Sequence, residues 1–326
     1  MPTFLTTSKM APELQERILA SVRGRRGQLT RARIPPRVVA LMRVAALCML
    51  VTAVVSVMLV RRRNHDEREH ARASLLLDVR AKGAALTPYD TDFTTRAEEE
   101  IMRLATPYEG DLVSDELRAP NALTERLARP FVYVRGPIGS MLNAQAIAMS
   151  AAVSSKDSLV SCLVDPPKSR TEKAMLPKVR AAYARDPLFE KTTANVTRLA
   201  DAELGLPLLS PPWILRVTEA EELADLSRLR RELEHAPVER AVQAARSDAL
   251  LVALDEEGER GGPTELDGER PHKVRVALVD LRAKKVLLRI QRTVDPRFIS
   301  DAERAVHASG LDACALAMDV REAVSR

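Results

Sequence analysis

The longest apolar run in the chain is VAALCMLVTAVVSVMLV, residues 44–60, seventeen positions without a charge, and residues 38–42 extend it to 23 across the single Arg43. At about 1.5 Å per helical residue such a stretch reaches roughly 34 Å, enough for a hydrocarbon core of about 30 Å with some tilt. A soluble helix keeps a polar face, so apolar character all round predicts a transmembrane helix over 38–60. The flanking arginines suit that role: Arg37 precedes the run, Arg43 can snorkel to the headgroups, and Arg61, Arg62 and Arg63 close the far end. A cleaved signal peptide has a short basic region and small residues after its apolar core. Here 43 residues precede residue 44 and RRRN follows residue 60, which fits an uncleaved signal anchor.

Before the span, PELQERILASVR at 12–23 sets Leu14, Ile18, Leu19 and Val22 at helical spacing, a short amphipathic helix in a basic tail over 1–37. After it, residues 61–86 are rich in helix formers and free of proline, predicting a helical stalk, with a soluble domain from about residue 90 to 326. Hydroxyl-x-x-Glu pairs at Thr95/Glu98, Ser169/Glu172, Thr218/Glu221 and Ser300/Glu303 suggest four helix starts. Apolar runs at 131–135, 159–164, 250–254, 274–281 and 286–292 suggest strands. The last two, VRVALVDL and VLLRIQR, read as a hairpin. Val274, Val276, Leu278, Val286, Leu288 and Ile290 should face a core, with Arg275 and Arg289 facing water. Alternating helices and strands followed by a hairpin and a last helix predict an α/β or α+β domain with a mixed sheet.

Charge sharpens the membrane reading. The net charge is +5, yet residues 1–43 hold nine basic against two acidic side chains, so the basicity lies in the tail and nucleic acid is not an expected partner. Six arginines fall within 20 residues on each side of residues 44–60. Lys9, Arg17 and Arg23 tip the balance toward a cytoplasmic amino terminus and a translocated domain. Only 3% of residues are aromatic, which disfavours stacking of sugars or single-stranded bases. Forty Arg against ten Lys suits a GC-rich bacterial genome.

The segment over 219–325 runs LADLSRLRREL, ARSDALLVAL, VRVALVDLRAKKVLLR and ACALAMDVREAV. In this order it resembles the carboxyl-terminal half of the α/β module in bacterial envelope proteins of the curli-secretion lipoprotein type and in the amino-terminal domain of the Tol translocation protein. The resemblance implies an assembly or scaffolding role and brings no catalytic residues with it.

The chain lacks GxxxxGK[ST], GxGxxG, HExxH, CxxC and GxSxG, so no cofactor, metal or catalytic residue is expected. Ser140 in GPIGS comes nearest to a nucleophile turn, but no base can be named for it. The acidic, Gly-rich loop 255–271 is the best candidate for contact with a protein partner. Cys48 lies in the span, leaving Cys162 and Cys314 either to form one disulfide or to pack as two buried thiols. These features favour a single-pass protein in the lipid bilayer of a bacterial inner membrane, with a non-catalytic periplasmic domain and no identified small-molecule substrate. The alternatives are a transmembrane signalling regulator acting through its tail, and an enzyme without a recognisable motif.

Overall fold

In a computed structural model of the chain, described over residues 36–154, 156–256, 272–294 and 301–326, contacts group the protein into two units, residues up to Asp66 and Glu67–Arg326. The amphipathic segment at 12–23, most of loop 255–271 and Ser300 of the last capping pair lie outside the described residues.

Within the first unit runs the start of helix α1 (Pro36–Gly83). None of its most apolar stretch is buried, and it is long and apolar enough to cross a membrane. Cys48 is among its exposed side chains, as are Arg37, Arg43, Arg61, Arg62 and Arg63.

The second unit is built on a mixed six-stranded sheet in the order β1-β6-β5-β4-β2-β3. The strands are β1 (Leu112–Val113), β2 (Phe131–Pro137), β3 (Val196–Arg198), β4 (Ala249–Asp255), β5 (His272–Asp280) and β6 (Lys285–Val294). β2 is parallel to both β3 and β4, while β4, β5, β6 and β1 pair antiparallel in turn. Strand side chains alternate between the two faces. On one face Phe131, Tyr133, Leu251, Ala253, Val276 and Ile290 pack with helices α4 (Ser158–Val164), α5 (Glu172–Ala184) and α10 (Asp301–Ser325). On the other, Val132, Val134, Leu250, Val252 and Val279 pack with α2 (Phe93–Leu104), α3 (Ala144–Val153), α6 (Leu199–Gly205) and α9 (Val238–Ala245). β2 and β4 are therefore covered on both faces, which explains their near-continuous apolar sequences. Gly205 lets α6 approach α9 closely, since a Cβ there would sit 2.4 Å from the Ala241 side chain.

A third cluster recruits the second half of α1. Leu75 and Val79 are buried against Trp213 and Val217 of α7 (Pro211–Glu219) and Leu226, Leu229 and Leu233 of α8 (Leu223–His235). Arg68 and Arg72 donate to the carbonyls of Glu221 and Ala220 at 2.9 and 2.7 Å, satisfying backbone acceptors just past the end of α7. The stretch expected to be a stalk is thus helical as far as Gly83 and, from Arg68 onward, packed into the domain.

Four local expectations change. Residues 159–164 form a helix, not a strand: Asp157 caps α4 by accepting the Val160 N–H at 3.2 Å, and a short run that is apolar except for Ser161 suits a buried helix as well as a strand. In the β5–β6 hairpin Leu278 pairs with Leu288 but Val279 with Val286, so Leu287 is an extra residue. That bulge turns Val286 onto the second face, where it packs with Val279 and its neighbours. Arg275 and Arg289 are half-buried rather than fully in water, donating to the Thr106 and Gly110 carbonyls. Thr95 and Thr218 sit inside helices rather than at their starts, and Thr171, not Ser169, precedes α5. Among the described residues the capping box that forms is Thr87/Asp90, with the Thr87 N–H 2.7 Å from Asp90 Oδ2.

Candidate functional site

Charged side chains gather at three places around the sheet and differ in how fully they are satisfied. The first lies at the carboxyl-terminal ends of the parallel strands β2 and β4, where α/β sheets commonly bind ligands. Arg135 of β2 grips Asp255 of β4 with two bonds, Nε to Oδ2 at 3.1 Å and Nη2 to Oδ1 at 2.9 Å. Its third nitrogen reaches Asp157 Oδ2 at 3.2 Å, and the Tyr133 hydroxyl donates to the same oxygen at 2.8 Å. Ser154 Oγ accepts the Arg135 backbone N–H at 3.0 Å, and His272 Nε2 stands 3.7 Å from Asp255 Oδ1. Burial pushes the Tyr133 hydroxyl well up, Asp157 adds to this, and the group stays a donor. Burial works against the Arg135 charge, but Asp255, Tyr133 and Asp157 outweigh it and hold the guanidinium cationic. Its function is to lock: the network ties the turn around Ser154–Asp157 to the strand ends.

Two clefts of similar size flank the opposite edges of the sheet. One, of about 560 Å³, lies beside β1 and contains Arg118, Arg170, Arg292 and Arg326 with Asp111, Asp319 and Glu322. Its charges are mostly spent internally. Arg292 bonds Asp111 at 2.6 Å, Arg326 bonds Glu322 at 2.5 Å, and Arg170 grips Asp319 through both terminal nitrogens. The Asp111 carboxyl is held below its ordinary range: burial raises it, but hydrogen bonds from Tyr108, Arg292 and the Gln291 N–H prevail.

The other cleft, of about 530 Å³, lies along β3, the strand at the opposite end of the sheet order. It is lined by Lys156, Arg185, Arg198 and Arg240 with Glu190 and Asp201. Lys156 immediately precedes Asp157, so the lock just described also places this residue. Here the ion pairs are loose: Lys156–Glu190 is 4.0 Å, Arg185–Glu190 3.9 Å and Arg198–Asp201 3.8 Å, all beyond hydrogen-bond reach. Arg198 Nε is buried without a hydrogen-bond partner among the described residues. Lys156 donates to the Thr193 carbonyl at 2.8 Å. Burial lowers the affinity of its amine for a proton, and Arg240 and Arg185 lower it further against Glu190 and Asp201.

Elsewhere, Glu203 on α6 has its carboxyl pushed up to about 7, first by burial and then by the charge of Glu98 on α2. Its Oε1 is buried without a partner among the described residues.

Of the residues singled out in the sequence, Cys162 on α4 and Cys314 on α10 are joined by a disulfide, with Cα atoms 5.3 Å apart. Ser140 sits in the 3₁₀ turn Ile138–Met141 after β2 and makes no hydrogen bond to a histidine among the described residues. No three His, Cys, Asp or Glu side chains converge as a metal set among those residues. The β3-edge cations were not legible as a group: they come from four separate places between residues 156 and 240, and β3 itself is three residues long. No motif in the sequence marks them, and the positive φ of Arg185 at the end of α5 becomes visible only in the fold.

The chain matches no known protein family, no curated protein and no solved structure. The likeness of residues 219–325 to the envelope modules therefore stays one of element order.

Proposed function

We propose that this is a single-pass, membrane-anchored bacterial envelope protein. Its amino terminus is cytoplasmic, and its α/β domain lies in the periplasm and acts by binding or scaffolding rather than catalysis. The observation that carries this reading is a disulfide between Cys162 and Cys314 in a chain whose α1 also holds an exposed, membrane-length apolar stretch. Disulfides persist in oxidising compartments, and an uncleaved apolar helix delivers a following domain to one. The arginines at 37, 43 and 61–63 are headgroup contacts in this reading, and the acidic, Gly-rich sequence of 255–271 is the proposed contact for a protein partner. The resemblance to envelope assembly modules points the same way.

The test is a fusion at the carboxyl terminus to a reporter active only in the cytoplasm, paired with a count of reactive thiols in protein unfolded without reductant. A silent reporter and a single reactive thiol, Cys48, are expected. An active reporter, or three reactive thiols, overturns the assignment.

A further inference from the structure

The β3-edge cleft is unlike every other charged site described here. Four cations face two carboxylates, so the lining carries an excess of two positive charges. The three internal ion pairs stand at 3.8–4.0 Å, whereas Arg135–Asp255, Arg126–Asp280 and Arg292–Asp111 close to between 2.6 and 2.9 Å. Among the described residues Arg240, which is exposed, has no carboxylate partner, and the buried Arg198 Nε has no hydrogen-bond acceptor, Asp201 standing 3.8 Å away. Guanidinium forks left without close carboxylates, beside an amine whose one close acceptor is the Thr193 carbonyl, are poised to receive oxygens from outside. The apolar part of the lining is small, Ala194 and Val196, so the cleft selects a charged group rather than an apolar body. Thr197 is committed to the Phe131 carbonyl at 3.0 Å, leaving Gln243 as the uncharged polar side chain available.

We infer that this cleft binds a dianionic phosphate group of the kind a phosphate monoester carries. Its two charges balance the excess of the lining, and its three terminal oxygens suit the donors of Arg185, Arg198 and Arg240. The volume of about 530 Å³ exceeds what a phosphate needs, which leaves room for the group that bears it. Lys156, tied to the Thr193 carbonyl and set beside the Arg135 lock, supplies a positioned fourth cation. The inference deepens the binding role proposed above and rests on it only for the premise that the domain binds something.

The experiment is calorimetric titration of the full chain in phosphatidylcholine nanodiscs with phenyl phosphate at about pH 8, where a monoester carries close to two charges. Saturable one-to-one binding is expected. Arg240→Gln should weaken it about tenfold. Arg228→Gln, which removes an exposed charge 3.1 Å from Asp225 and outside the cleft, should leave it within about twofold. Glu190→Gln, which removes a competing carboxylate, should tighten it about threefold. Absence of saturable binding at millimolar ligand, or equal weakening by Arg240→Gln and Arg228→Gln, overturns the inference. Repeating the titration in nanodiscs containing phosphatidic acid identifies the source of the phosphate. Competition assigns a lipid headgroup, unchanged binding assigns a soluble monoester, and both support the site. A null titration leaves the reporter and thiol results untouched, so the two readings fail separately.

Discussion

Residues 44–60 and 67–83 of α1 are each seventeen positions long and share one helix, yet they meet opposite surroundings. In the first stretch apolar side chains point outward on every side, Leu47 being 61% exposed, and none of the described residues covers them. In the second, Leu75 and Val79 are 1% and 2% exposed, buried against Trp213, Val217 and the leucines of α8, while Arg68 and Arg72 hold carbonyls past α7. The contrast shows what each stretch requires. An amphipathic segment finds its apolar partner within the domain, whereas a segment apolar on all sides needs an apolar solvent.

The sharpest way to break the second half is to remove its partner. Trp213→Ala should cost the domain about 3–5 kcal/mol, read as a shift of the denaturant midpoint. Truncation along the helix itself is the next test. Leu75→Ala should cost about 2–5 kcal/mol in the same measurement, while Leu47→Ala, at a side chain that none of the described residues covers, should leave the midpoint unchanged. Equal costs at the two positions would erase the distinction. Arg72→Met keeps the stem and removes the bond to the Ala220 carbonyl, for an expected loss of about 1–2 kcal/mol.

The smallest effect is a pH dependence confined to the domain. Glu203 has a folded pKa of about 7, raised from 4.5, so the folded state takes up a proton that the unfolded chain releases at lower pH. Its contribution is fully present below 4.5 and is lost as pH rises through about 7. Glu203→Gln should therefore raise the melting temperature relative to wild type increasingly from pH 5 to pH 8, by a few degrees at most given the partial exposure of the group. A constant difference across that range would remove Glu98 and Glu203 as the cause.

What was legible in the sequence follows the same physical division. The apolar stretch of α1, β2, β4 and the β5–β6 hairpin announce themselves because each carries its own period or an unbroken apolar run. Residues 159–164 misled because a run apolar except for Ser161 shows no period, and the deciding feature is one cap, Asp157. β1 and β3, two and three residues long, are strands through their neighbours rather than their composition. Val286 faces the unexpected side because the bulge at Leu287 is set by pairing across the hairpin. The candidate site was the least legible of all. Lys156, Arg185, Arg198 and Arg240 are ordinary surface cations until the chain folds them around one edge of the sheet.

The claim on which the rest depends is that residues 44–60 sit in a bilayer, and alkaline carbonate extraction of cell membranes tests it most directly. Full-length protein should stay in the membrane pellet. A Val51→Arg/Val55→Arg variant, with each charge costing about 2.5–3.5 kcal/mol at the centre of a span, should move largely to the supernatant. Release of the wild-type chain by carbonate, or equal retention of both forms, contradicts membrane anchoring through α1.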